Sequence, residues 1–294
     1  MEVAAGSDIG VWQSQQSDAH LAESLAPDVT LLAIADGFGA LGKNVPTAIM
    51  ALSTIRDYLR RRQRGGAFAS RSATPSHLRA LLLSALDHAN ARLYAQSGSH
   101  EDFVGSGTSL TAVLIVGYQA FVGHVGDARA YLLRLGNVEP LTADDALFSD
   151  ATLANTKTLI PAKPLVRGLL WRSLGTQAKL EASIANLELL AGDQLVLCTD
   201  GVHRCVDSEE ICAALEESAT AADAVARVLS LTKARGGADN RTLIVGRELL
   251  IASAGVVKRP SRFDRIRTSV ALLLLAIFAI SFAIYVIRFG LVAH

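Results

Sequence analysis

Three apolar runs in this chain end at, or begin from, an aspartate. Leu31-Leu32-Ala33-Ile34-Ala35 leads into Asp36-Gly37, and Leu195-Val196-Leu197-Cys198-Thr199 leads into Asp200-Gly201. Asp239-Asn240 opens into Arg241-Thr242-Leu243-Ile244-Val245. Runs this short, aliphatic or β-branched and punctuated by glycine, read as buried strands. A carboxylate at the rim of a buried strand is costly unless a cation meets it. Three at comparable rims imply one shared cation, and an all-oxygen donor set selects Mg²⁺ or Mn²⁺ over softer metals. The chain therefore calls for a β-scaffold carrying a carboxylate metal site.

The intervening segments supply helices. Pro46 to about Arg62 places Ala48, Ile49, Leu52, Ile55 and Leu59 on one face, with Pro46 near the first turn. Residues 76–97 repeat Leu78, Leu82, Ala85, Leu86, Ala89 and Leu93 at helical spacing behind Ser76, a candidate cap. Strands are expected at 3–12, 29–35, 108–116, 119–125, 128–135, 181–189, 194–199 and 241–247. Helices are expected at 207–217 and 220–235. Helix pairs between strand groups fit a sandwich in which helices cover sheets. Residues 143–170 lose periodicity around Pro161 and Pro164.

Asp36-Gly37, Gly126-Asp127-Ala128-Arg129, Thr199-Asp200-Gly201 and Ala238-Asp239-Asn240 occur in that order, with Gly107-Thr108-Ser109 before the second and Arg172-Ser173-Leu174-Gly175 before the third. An Asp-Gly alone is an ordinary turn. The ordered set, over roughly residues 3 to 247, resembles the metal-dependent Ser/Thr protein phosphatases of type 2C. The resemblance implies an α+β fold, a four-layer α-β-β-α sandwich of two antiparallel sheets. It also implies hydrolysis of phosphoserine and phosphothreonine by metal-activated water, with two or more Mg²⁺ or Mn²⁺ ions. On that resemblance Asp36, Asp200 and Asp239 are the catalytic set, and Asp36 bridges two ions. Asp200 and Asp239 hold the first, the Gly37 carbonyl helps hold the second, and Asp127 supports a further ion with Asp200. Residues 143–170 fall where the family carries a flap beside its active site.

The first loop departs from the family pattern, which is roughly Gly-x-x-Arg-x-x-x-Glu-Asp. Here it reads Gly10-Val11-Trp12-Gln13-Ser14-Gln15-Gln16-Ser17-Asp18. Asp18 is in register, but Ser17 stands for the metal-binding Glu and Gln13 for the phosphate-binding Arg. Glutamine lacks the cationic fork that suits phosphate. Two readings follow. In one, Asp18 turns inward to serve the second metal, and Arg204 binds phosphate beside or instead of Gln13. In the other, the chain is a degenerate pseudophosphatase that binds phosphoproteins as a regulatory module. His203, shortly after Asp200, is a further candidate to line the site.

Lys plus Arg and Asp plus Glu number 28 each, so net charge gives no argument for nucleic acid. Two basic clusters stand out: Arg60-Arg61-Arg62 with Arg64 and Arg71, and Lys258-Arg259 with Arg262, Arg265 and Arg267. The three cysteines, Cys198, Cys205 and Cys212, lack zinc-site spacing and read as reduced and structural. No secretory signal is apparent at Met1-Glu2-Val3-Ala4. From Thr268 to Ile287 the chain is uncharged and rich in Leu, Ile, Ala and Phe. A helix of about 20 residues spans a bilayer's hydrocarbon core. The basic flank on its N-terminal side predicts a cytoplasmic catalytic domain, residues 1–247. A linker at 248–267, a transmembrane helix at 268–287 and an extracytoplasmic tail at 288–294 would follow. The expected partners are phosphoprotein substrates, a Ser/Thr kinase or its targets, and the membrane.

Overall fold

The computed structural model describes residues 1–11, 13–39, 45–69, 73–146 and 170–247, all within one compact unit, Met1–Leu250. The expected membrane span, its linker and tail lie outside the described residues, as does most of the 143–170 segment. Among the described residues no helix is long and apolar enough to cross a membrane.

The strands are β1 (Glu2–Asp8), β2 (Asp18–Ala26), β3 (Val29–Phe38), β4 (Gly107–Val116), β5 (Gln119–Val125), β6 (Arg129–Arg134), β7 (Asn137–Pro140), β8 (Ser183–Glu188), β9 (Gln194–Cys198) and β10 (Arg241–Arg247). They form two five-stranded sheets, ordered β1-β10-β9-β6-β7 and β2-β3-β4-β5-β8, and the pairings are antiparallel. The long helices are α1 (Thr47–Arg64) and α2 (Pro75–Ser99); α3 (Asp200–His203) is a single turn, followed by α4 (Ser208–Glu216) and α5 (Ala221–Ala234).

Strand alternation assigns each residue to a layer. In β3, Leu31, Ala33 and Ala35 pack under α1 and α2, whereas Leu32 and Ile34 meet the other sheet. In β9, Val196 and Cys198 face α4 and α5, whereas Leu195 and Leu197 face the β2-β3-β4-β5-β8 sheet. Three apolar layers therefore separate four layers of secondary structure, as the apolar runs predict for strands buried on both faces. Cys198 and Cys212 are buried, and all three cysteines are free thiols.

Local chemistry sets the helix ends. Thr74, rather than the expected Ser76, caps α2, accepting from the His77 amide at 3.3 Å with Pro75 in the first turn. Capping boxes start α4 (Asp207 with Glu210) and α5 (Thr220 with Asp223). The expected 3–12 strand stops at Asp8, and Gln13, Ser14, Gln15 and Ser17 of the segment that follows form one wall of a pocket.

Candidate active site

The strand-end aspartates of the two sheets come together. They line a cavity of about 450 Å³ that also takes in Gln13, Ser17, Ser109, Leu170 and Arg204. Asp36 sits two residues before the end of β3, opposite Asp18 on β2 and Ser109 on β4. Asp200 opens α3 directly after β9, and Asp239 precedes β10. Asp127 lies in the β5–β6 turn, where Gly126 adopts φ +99° and a Cβ would stand 2.4 Å from that of Ser109. Only glycine tolerates both conditions.

Backbones are clamped together to hold this geometry. A Cβ on Gly201 would lie 1.9 Å from the Asn240 carbonyl oxygen, and one on Gly10 would lie 2.2 Å from that of Asp239. The turn after β9 and the first loop thus both press on the segment carrying Asp239. Behind it, the guanidinium of Arg241 is buried, donating to the Asp8 carboxylate at 2.9 Å and the Ile9 carbonyl at 3.2 Å.

The floor is electrostatically unbalanced. Burial, then the charge of Asp200, pushes the Asp36 carboxyl well above the usual range. Asp200 is also raised by burial, an effect that Arg204 offsets in part. Burial carries Asp127 up to about 7, with Asp200 adding to it. Asp18 likewise rises to about 7, chiefly by burial. Against these groups, Arg204 is the one cationic side chain among the described residues that line the cavity. Its Nη2 lies 2.8 Å from Asp200 Oδ2 and 3.4 Å from Asp127 Oδ2.

The expected residues separate into those on the cavity surface and those behind it. Asp36, Gly37, Asp127, Asp200, Asp239, Gln13 and Arg204 line it. Asp18 is buried behind the wall: its Oδ2 accepts from Thr199 and Thr242 hydroxyls, each at 2.8 Å. Ser17 lines the cavity, but its hydroxyl donates to Asn240 Oδ1 at 2.6 Å and its amide to the same oxygen at 2.7 Å. Gln13 donates to Asp239 Oδ1 at 3.0 Å, and Arg204 is engaged with carboxylates. His203 does not line the cavity. Its Nε2 donates to the Asp127 carbonyl at 2.9 Å, and burial lowers its pKa to about 4, so it is a neutral strut.

Sequence reasoning missed Asn240, Thr199 and Thr242, which tie the first loop and Asp18 to the sheet that holds β9 and β10. It also missed the stem of the 143–170 segment. There Arg129 pairs bidentately with Asp144, and Asp145 bonds Arg172 and the Gly126 amide. An Ala146–Leu170 bridge closes the stem and sets Leu170 on the cavity rim.

With side chains placed this way, no three Asp, Glu, His or Cys groups among the described residues close into a ready ion cage. The donor chemistry nevertheless fits divalent cations. All the donors are oxygen, and Asp200 Oδ1, Asp18 Oδ1 and Ser109 Oγ are buried without a hydrogen-bond partner. Buried polar atoms of this kind normally have one. The carboxylates outnumber the single guanidinium, which is the imbalance that Mg²⁺ or Mn²⁺ corrects.

Comparison with known proteins agrees with this arrangement. The family model for protein phosphatase 2C matches residues 12–242. The chain belongs to the protein phosphatase 2C family. It is 31% identical over 248 residues to the serine/threonine protein phosphatase PstP of Mycobacterium tuberculosis, covering 83% of this chain and 44% of PstP. The chain thus spans less than half the length of that relative. A crystal structure of M. tuberculosis PstP/Ppp superposes with a TM-score of 0.69 at 30% identity, covering 84% of this chain and 97% of the other. The PstP catalytic domain in complex with two manganese ions gives a TM-score of 0.67 at 29% identity, covering 83% and 96%. The four-layer sandwich of this chain is the type 2C phosphatase fold.

Proposed function

We propose that this chain is a metal-dependent phosphatase acting on phosphoserine and phosphothreonine in proteins. The observation that carries the proposal is the cluster of Asp36, Asp127, Asp200 and Asp239 around one cavity with a single cation among its described lining residues. Its membership of the type 2C family and its likeness to the manganese-bound PstP domain support the same reading.

Asp36, Asp200 and Asp239 would hold Mg²⁺ or Mn²⁺, with the Gly37 backbone beside them. Divalent ions supply an acidified water and a charge clamp on phosphate oxygens. The chain's own groups do the rest. Gly10, Gly37 and Gly201 let backbones approach closely enough to bring the carboxylates to one end of the sandwich. Phe38 and Leu170 give the mouth an apolar edge. Arg204, with a side chain 38% exposed, turns Nη2 to the carboxylates and leaves the remainder of its fork for a phosphate oxygen. Gln13 adds a neutral donor at the same rim. The retained carboxylate set and the family relationship do not favour the pseudophosphatase reading.

The proposal extends to location. The uncharged run 268–287 and its basic N-terminal flank support a single-pass anchor, with the catalytic domain (1–247) in the cytoplasm and a tail at 288–294 outside. A Ser/Thr kinase sharing the same substrates is the natural opponent. Purified full chain should hydrolyse a phosphothreonine peptide only when Mn²⁺ or Mg²⁺ is added. Absence of hydrolysis at every metal concentration overturns the enzymatic reading. Carbonate-resistant pelleting of the full chain, lost on truncation after Arg247, tests the anchor.

A further inference from the structure

Arg204 stands where two carboxylates face each other. Its Nη2 is 2.8 Å from Asp200 Oδ2 and 3.4 Å from Asp127 Oδ2, and the side chains of both aspartates are only 8% exposed. The arrangement is built rather than incidental. Asp200 and Arg204 flank the single turn of α3, and the Arg204 amide bonds the Asp200 carbonyl at 2.9 Å. The neighbouring His203 holds the Asp127 carbonyl at 2.9 Å. One short segment thus presents the cation to both anions and fixes the backbone of the second.

A divalent ion shared by those two oxygens would sit about 2.0–2.6 Å from each, which is the space Nη2 fills. Guanidinium and ion exclude each other there. The guanidinium also has an advantage that no free ion has: it is tethered, so its local concentration does not fall when metal is scarce. Asp200 keeps a second buried oxygen, Oδ1, that Arg204 does not engage and that has no hydrogen-bond partner.

We infer that Arg204 is the built-in cation of the Asp127–Asp200 pair, limiting divalent-ion binding to the Asp36–Asp239 side of the cavity. The inference rests on the metal-dependent reading above and deepens it. It makes Arg204 a residue that sets how many ions this chain takes.

The test counts ions rather than turnover. Metal-stripped full chain is titrated with Mn²⁺ to saturation, and bound ions are counted by equilibrium dialysis and by the loss of the free-Mn²⁺ paramagnetic signal. Arg204→Gln should bind one ion more than the parent, and Arg204→Lys the same number as the parent. The extra ion should vanish in the Arg204→Gln/Asp127→Asn double variant. Asp127→Asn alone should leave the parental count unchanged, which decides the matter even if Arg204→Gln melts too low to use. An ion lost in Asp127→Asn, or none gained in a folded Arg204→Gln, overturns this inference while leaving the phosphatase reading standing. A parent that binds no Mn²⁺ at all overturns both.

Discussion

The floor of the cavity and the loop that forms its lip are built on opposite principles. The floor consists of carboxylates at the ends of buried strands, with Asp36 and Asp200 raised by burial and by neighbouring charges and with buried oxygens left unpaired. The lip, Gly10 to Ser17, carries no charged residue, and Gln15 and Ser17 within it are hydrogen-bonded. The Ser17 amide and hydroxyl both meet Asn240 Oδ1, the Ser17 carbonyl accepts from the Gly37 amide at 3.2 Å, and Asn240 Nδ2 reaches the Gln15 carbonyl at 3.2 Å. The lip is complete as it stands, and the floor is complete only with cations. Metal binding should therefore change the energetics of the floor far more than those of the lip.

Charge removal from the floor breaks the comparison most sharply. Asp36→Asn should cut hydrolysis on the order of a thousandfold, about 4 kcal/mol of transition-state stabilisation, because a metal-holding carboxylate is gone. The same change should raise the melting temperature of the metal-free protein, since Asp36 is repelled by Asp200 and Asp18. A metal-free variant that melts below the parent would show that the floor is not strained.

The second test uses pH. Asp18 and Asp127 are raised from 3.8 to about 7 in the folded chain. Between those values the folded state holds protons that the unfolded state has released, so stability falls as pH rises through the window. A tenfold difference in proton affinity between the two states is worth about 1.4 kcal/mol, so the loss should amount to a few kcal/mol. Metal-free protein should melt lower at pH 8 than at pH 5, and saturating Mn²⁺ should flatten the difference. A melting temperature that rises with pH in the absence of metal would contradict the assignment.

This contrast also explains what the sequence revealed. β3, β9 and β10 are buried on both faces, so they read as unbroken apolar runs, and their terminal aspartates were legible as a site. β2, Asp-Ala-His-Leu-Ala-Glu-Ser-Leu-Ala, alternates between half-buried and exposed after the buried Asp18, lies at a sheet edge and carries charges, so no run marked it. β7 is four residues long and mostly exposed. The lip was legible only as a departure from a pattern. Its partner Asn240 looked like the tail of an Asp-Asn turn. Thr199 and Thr242 looked like ordinary strand residues, because a buried hydroxyl and a β-branched strand former are the same letter. That Asp18 serves those hydroxyls rather than the cavity surface depends on sheet-to-sheet packing, which no local pattern encodes.

The lip should respond to loss of its hydrogen bonds rather than to charge. Asn240→Ala removes the acceptor for the Ser17 amide and hydroxyl and the donor to Gln15, at a residue only 2% exposed. Leaving a buried amide unpaired costs about 1–3 kcal/mol. The variant should lose that much stability equally with and without Mn²⁺, as measured by urea unfolding. A loss that disappears on adding metal would place Asn240 with the floor instead.

The smallest effect should come from an exposed side-chain contact that joins the two regions. Gln13 Nε2 donates to Asp239 Oδ1 at 3.0 Å in an exposed setting, so water can replace it after Gln13→Ala. Stability should hardly change. The amide also competes with an incoming ion for that carboxylate oxygen, so its removal should strengthen metal binding. A contact of this kind is worth about 0.5 kcal/mol net, which corresponds to roughly a twofold lower Mn²⁺ concentration at half-saturation. If Gln13→Ala instead weakens Mn²⁺ binding, the amide orients Asp239 toward the ion rather than shielding it. The lip would then be part of the metal site after all.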